Sequence, residues 1–147
     1  LREQGKVRFL GFTAEGPSGG VSELIATDAF DVLQCRYNLL NQQTCDYIND
    51  AGVIREAKAR DMGVVTMRTL TSGIFQKLMR QSFPEAMAGL DLNRFLLSFV
   101  LSNPLIDVAL AGMRRAEEVE ANNALSDDEA ARLDLVALHV RHVSAGS

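Results

Sequence analysis

The chain has 147 residues, 47% of them hydrophobic and 23% charged, with a net charge of −4. That suffices for one domain with a real core, and the acidic balance argues against a binder of nucleic acid or anionic membranes, which needs a basic face. No apolar run reaches the ~18 residues of a membrane span, and Arg2, Glu3 and Lys6 interrupt any signal-peptide core.

The chain opens on Leu1, and the segment closing at Gly5 reads as the tail of a helix, so the sequence looks cut from something longer. Val7–Thr13 is short, apolar and β-rich and predicts a first strand. Turn residues follow, then a short helix near Ser22–Thr27, then a second strand over Asp31–Asn38. Cys35 and Cys45 form neither a CxxC pair nor a framework; they read as free thiols in a reducing compartment, which points to the cytoplasm. Tyr47, Ile48, Ala51, Ile54 and Ala57 fall at helical spacing and predict one helix that stops at Gly63. Gly63–Thr69 predicts the third strand. Two helices come next. Ile74, Phe75, Leu78 and Met79 make one stripe, and Leu92, Phe95, Leu96, Phe99 and Val100 another, with Asp91 as N-cap and Asn103-Pro104 as the stop. Leu105–Gly112 predicts the fourth strand and Ala116–Asn123 a helix. A last helix should open on Ser126 and Glu129, which stand in capping-box spacing.

The resulting order, β-α-β-α-β-α-α-β-α-α, is that of parallel β/α units, an α/β protein. The predicted strands start about 33 residues apart on average, close to the roughly 31 per unit of an eight-unit barrel of ~250 residues. A doubly wound sheet has similar spacing, but neither GxGxxG after the first strand nor GxxxxGK[ST] anywhere supports one. Four units make half a barrel and cannot close on themselves. The other half then belongs to the same polypeptide or to a second copy of this one.

In such folds chemistry gathers at the carboxyl ends of the strands. Those ends carry Thr13, Ala14 and Glu15, then Gln34, Arg36, Tyr37 and Asn38, then Met67 to Leu70, then Gly112 to Arg115. Arginine forks suit phosphate oxygens, and a helix starting near Ala116 would aim its first amides at the same place. A phosphorylated ligand is the first expectation, with Gln34 suited to an amide or carbonyl group. His139 and His142, on the final helix, read as surface or structural residues.

"GKVRFLGFT", "FDVLQCRYNLLNQ", "GVVTMRTLTSGIF" and "VLSNPLIDVALAGMRRAEEVEANN" together resemble the second half of an aldo-keto reductase. The resemblance covers nearly the whole chain, and its most specific pieces are the last stretch and "YNLLN". It implies that residues 1–147 are a partial domain, strands 5–8 of a (β/α)8 TIM barrel, which binds a nicotinamide dinucleotide and reduces aldehydes or ketones. It implies that Thr13 and Gln34 hold the nicotinamide carboxamide, and that Met67 stands where an aromatic ring often stacks. Arg68, Thr69 and Leu70 would line the pyrophosphate, and Gly112, Met113 and Arg114 the adenosine 2′-phosphate. Glu118 and Asn122 would meet the adenine. Arg114 implies NADPH rather than NADH. The family usually has Asn where Ala14 stands and Pro where Thr69 and Ala111 stand. The family's catalytic Asp, Tyr, Lys and His come from the first four units, and neither Tyr37 nor Tyr47 matches that tyrosine. The expected partners are the dinucleotide and a small carbonyl substrate, with a homo-oligomer if the half-barrel stands alone. The alternative is a non-catalytic binding or regulatory subunit of the same type.

Overall fold

Four strands alternate with helices in the computed structural model, which describes residues 1–15, 18–47 and 49–144, side chains at 18 and 140–144 excepted. The strands are β1 (Gly11–Ala14), β2 (Val32–Arg36), β3 (Gly63–Met67) and β4 (Val108–Ala109). The helices are α1 (Ser18–Ala26), α2 (Val53–Lys58), α3 (Ile74–Ser82), α4 (Leu92–Leu101), α5 (Ala116–Asp127) and α6 (Leu135–Ser144), with 3-10 turns at Thr71–Gly73 and Glu129–Ala131. The strands form one parallel sheet in the order β1-β2-β3-β4. Strand order never reverses, as it would at the switch point of a doubly wound sheet. No helix among the described residues is long and apolar enough to cross a membrane.

Register sorts the side chains onto two unlike faces, because successive residues of a strand point opposite ways. Ala14, Cys35, Thr66 and Ala109 lie side by side, as do Phe12, Leu33 and Val64. On this face Leu33, Cys35, Val64 and Thr66 are fully buried. Val21 and Ile25 of α1, Val53, Ile54 and Ala57 of α2, Phe99 and Val100 of α4 and Leu135 of α6 join the same core. Each such large apolar side chain contributes roughly 1.5–3 kcal/mol on burial. The alternate row, Thr13, Gln34, Val65 and Val108, with Arg36 beside Met67 above it, is nowhere fully buried. The core therefore lies between one face of the sheet and the helices, and the other face is open.

Two aspartates tie the amino ends of the strands together in the same way. Asp31, just before β2, accepts the Leu10 N–H at 2.7 Å. Asp107, just before β4, accepts the Val64 N–H at 2.7 Å and Lys58 Nζ at 3.0 Å.

Several elements differ from the sequence reading, each for a local reason. The first strand is Gly11–Ala14 rather than Val7–Thr13, and the second and third end earlier, at Arg36 and Met67. Beyond Arg36 the chain folds into a turn closed by Asn38 and Asn41. Past Met67, Arg68 adopts φ 60° and leaves the ladder. That departure also shortens the fourth strand from the expected 105–112 to Val108–Ala109, since residues beyond Leu110 have no neighbour to pair with. The long helix expected from Tyr47 is only Val53–Lys58. Asp46 and Ala51 exchange backbone bonds, Asp50 has φ 52°, and Gly52 has φ 114°. An added Cβ at Gly52 would lie 2.5 Å from the Thr44 carbonyl oxygen, so the chain must turn here. Tyr47 and Ala51 thus lie in a loop, and Ile48 falls outside the described residues.

Asp91 does cap α4, accepting the Arg94 N–H at 2.9 Å. Phe95 is more exposed than its stripe implies, while Leu97 and Ser98 are buried instead. In α3 half of the expected apolar stripe faces outward, with Ile74 65% and Leu78 56% exposed, while Phe75 and Met79 are half-buried and Gln76 is the buried residue. The capping box expected at Ser126 and Glu129 is absent, because Ser126 still belongs to α5. Arg132 folds back onto the carbonyls of Leu125 and Ser126 and ends that helix, and α6 starts only at Leu135, with Asp134 accepting the Ala137 N–H at 2.9 Å.

Candidate functional site

The carboxyl end of β3 runs into a left-handed stretch: Arg68, Thr71, Ser72 and Gly73 all have positive φ, between 51° and 77°. For non-glycine residues this costs of order 1–3 kcal/mol each and survives only where neighbours enforce it. Here they do. Asn38 donates its amide to the Arg68 carbonyl at 2.9 Å, while its oxygen accepts the N–H groups of Leu40 and Asn41. Gln76, buried at the start of α3, donates to the Leu70 carbonyl at 3.1 Å and to Asn93 at 2.8 Å, and accepts the Thr71 hydroxyl at 3.0 Å. Asn38 stands among the strand-end residues named from the sequence, whereas Gln76 and Asn93 were missed. An apolar-periodicity reading has no means of finding a glutamine that faces inward.

This loop forms one wall of a cavity of about 880 Å³, with Arg68, Thr69 and Leu70 on one side and Gly112, Met113 and Arg114 on the other. A second cavity, of about 320 Å³, continues from it, sharing Leu70, Gly112 and Glu118 and reaching Asn122 and Leu125 of α5. Eight of the residues singled out in the sequence therefore surround one continuous cleft. The other three, Thr13, Gln34 and Met67, sit on the open face of the sheet. Thr13 and Gln34 are paired in register, and Gln34 Nε2 approaches Met67 Sδ at 3.7 Å.

The two arginines at the start of α5 have different fates. Glu118 accepts the Arg114 N–H at 2.7 Å and binds the Arg115 guanidinium at 2.9 and 3.1 Å. The Arg114 N–H and the Arg115 side chain hold its carboxyl below the usual glutamate range. The amides at 114 and 115, just before α5, are thus taken by a carboxylate of the chain itself, and so is the Arg115 side chain. Arg114 is exposed, and its guanidinium makes no ion pair among the described residues. Thr69 is 1% exposed and its hydroxyl has no partner within the described chain. A buried hydroxyl left this way calls for a hydrogen bond from a ligand or water.

Neither tyrosine is placed as a proton donor in this cleft. Tyr37 is fully buried and stacks on Phe99 at 5.8 Å, and burial pushes its hydroxyl up. Tyr47 lies between His139, stacked at 5.3 Å, and Arg55, and burial pushes it up to about 12. His139 also contacts Gln42, a structural role, while the His142 side chain lies outside the described residues. Among the described residues no group of three or more His, Cys, Asp or Glu is placed to hold a metal ion.

A sequentially ordered parallel β/α sheet, covered by helices on one face and carrying a polar cleft at its carboxyl ends, defines the class. Within it, the chain has the fold of an aldo-keto reductase. It superposes on the aldo-keto reductase AKR11C1 from Bacillus halodurans, solved in its holo form, with a TM-score of 0.69 over 92% of this chain at 16% identity. The likeness covers 49% of that structure, so the chain spans about half its length. No family model matches the sequence, and no curated protein does.

Proposed function

We propose that this chain is the cofactor-binding half of an aldo-keto-reductase-type oxidoreductase, supplying strands 5–8 of a (β/α)8 barrel. The observation that carries this is the continuous cleft between the β3 loop and the start of α5, lined by Arg114, unpaired among the described residues, and by Thr69, whose buried hydroxyl has no partner among them. These features fit a nicotinamide dinucleotide, which when bound supplies a hydride to a carbonyl carbon.

On this reading the backbone at Arg68, Thr69 and Leu70 lines the pyrophosphate, and Arg114 binds the adenosine 2′-phosphate, which selects NADPH over NADH. Glu118 and Asn122 border the adenine, with Glu118 also fixing the backbone at Arg114. Thr13 and Gln34 orient the nicotinamide carboxamide on the open face. Met67 covers the ring without stacking, since a thioether has no flat surface. The chain contributes no proton donor, because Tyr37 is buried and Tyr47 half-buried, neither lines the cleft, and both have raised pKa values. That donor comes from the half that completes the barrel.

The one-faced sheet, whose β1 and β4 edges are unpaired among the described residues, supports completion by another half-barrel, whether in the same polypeptide or in a second copy. The test is carbonyl reduction with NADPH. The completed barrel should reduce a simple aldehyde and these 147 residues alone should not. Turnover by the isolated chain would overturn the reading. A completed barrel that binds NADPH but turns over no carbonyl would instead favour a binding or regulatory subunit.

A further inference from the structure

A third cavity, of about 250 Å³, lies on the other side of the β3 loop, lined by Arg36, Asn38, Asn41, Arg68, Ser72 and Ile74 among others. We propose that it is an anion site formed by Arg36 and Arg68, and that it binds the carboxylate of a carbonyl substrate. The assignment to substrate rests on the reductase reading, whereas the anion site does not.

Arg36 ends β2, on the same face as Gln34, and pairs in register with Met67, one residue before Arg68. Both arginines line this one small space. No aspartate or glutamate lines it. Arg36 is exposed and its side chain has no partner among the described residues, and Arg68 donates only to the Ser72 hydroxyl, at 3.1 Å. The Asn38 side chain is engaged by the Arg68 carbonyl and by the N–H groups of Leu40 and Asn41, with one amide N–H left over. Two like charges held together repel, and an oxyanion between them relieves this while meeting both forks in the geometry they prefer.

Size and position narrow the ligand. The volume falls below the ~300 Å³ at which pockets for whole drug-sized ligands begin, so the site suits one charged group of a larger molecule. The cavity shares Arg68 and Ser72 with the large cleft. Arg36 is two residues beyond Gln34, a rise of about 6.6 Å along a strand. A carboxylate some 4 Å from a carbonyl beside Gln34 would therefore come within hydrogen-bond reach of Arg36. Aromatic or short aliphatic aldehydo- and keto-acids have this shape.

Calorimetric titration of the intact protein with sodium benzoate, and separately with inorganic phosphate, tests the site. Benzoate should bind saturably. Arg36→Glu should weaken it at least tenfold and Arg36→Lys, which keeps the charge but loses the fork, by less, with NADPH affinity unchanged in both variants. No saturable binding of either anion, or equal benzoate affinity in wild type and Arg36→Glu, would overturn the site. Phosphate binding tighter than benzoate would overturn the carboxylate assignment. Benzoate binding without NADPH binding would instead sink the reductase reading and leave the anion site standing.

Discussion

The two faces of this sheet are made from the same four strands and have opposite characters. On one, Leu33, Cys35, Val64 and Thr66 are fully buried beneath α1, α2 and α4, and burial pushes the Cys35 thiol up to about 12. On the other, Thr13, Gln34, Arg36 and Met67 stand open or half-covered, with weak partners or none. The first face holds the fold and has little freedom to do anything else. The second holds groups that gain their partners only from a ligand or from more protein. One strand, β2, supplies both in strict alternation.

That contrast can be broken or sharpened by substitution. The largest effect should come from the helix-covered side: Phe99→Ala removes the ring stacked on Tyr37 and should cost about 3–5 kcal/mol, read by urea denaturation. Met67→Ala, on the open face, should cost under about 1.5 kcal/mol, and equal losses at the two sites would erase the distinction between the faces. Next comes Gly52→Ala, where the positive φ and the 2.5 Å approach to the Thr44 carbonyl should together cost about 3 kcal/mol, by the same measurement. Gln34→Ala should leave stability within about 0.5 kcal/mol but weaken dinucleotide binding roughly tenfold, the worth of about one hydrogen bond. The smallest effect should come from Glu118. Its carboxyl is held below the usual range in the folded chain, so its contribution is fully present above the ordinary glutamate value of about 4.3 and is lost as pH falls below that. The melting-temperature gap between wild type and Glu118→Gln should therefore be open at pH 7 and close toward pH 3. A gap that widened on acidification would contradict the ion pair.

Much of this was legible beforehand, for physical reasons that differ by element. Parallel β/α order follows from apolar runs separated by amphipathic helices, and those patterns reflect the burial that holds the fold together. The cleft residues at 68–70 and 112–114 were legible because strand ends are where a parallel sheet exposes polar groups. The long helix through Tyr47 was misread because Ile54 and Ala57 do follow a helical period, while Gly52 and Asp50 impose a turn that periodicity does not register. The division of labour between Arg114 and Arg115 was hidden as well. It depends on Glu118 reaching back across the first turn of α5, a contact set by three-dimensional geometry. Gln76 lay between the members of an apparently apolar stripe, two of which, Ile74 and Leu78, face outward.

The central claim, that this chain holds a phosphorylated nicotinamide dinucleotide, is tested most directly by titrating NADPH and NADH into the intact protein and into Arg114→Ala, following cofactor fluorescence. The expected result is saturable NADPH binding that falls at least tenfold in Arg114→Ala, with NADH affinity unchanged, since a charge-assisted contact to phosphate is worth about 1.5–3 kcal/mol. Absence of saturable binding, or equal NADPH affinity in the two proteins, would contradict it.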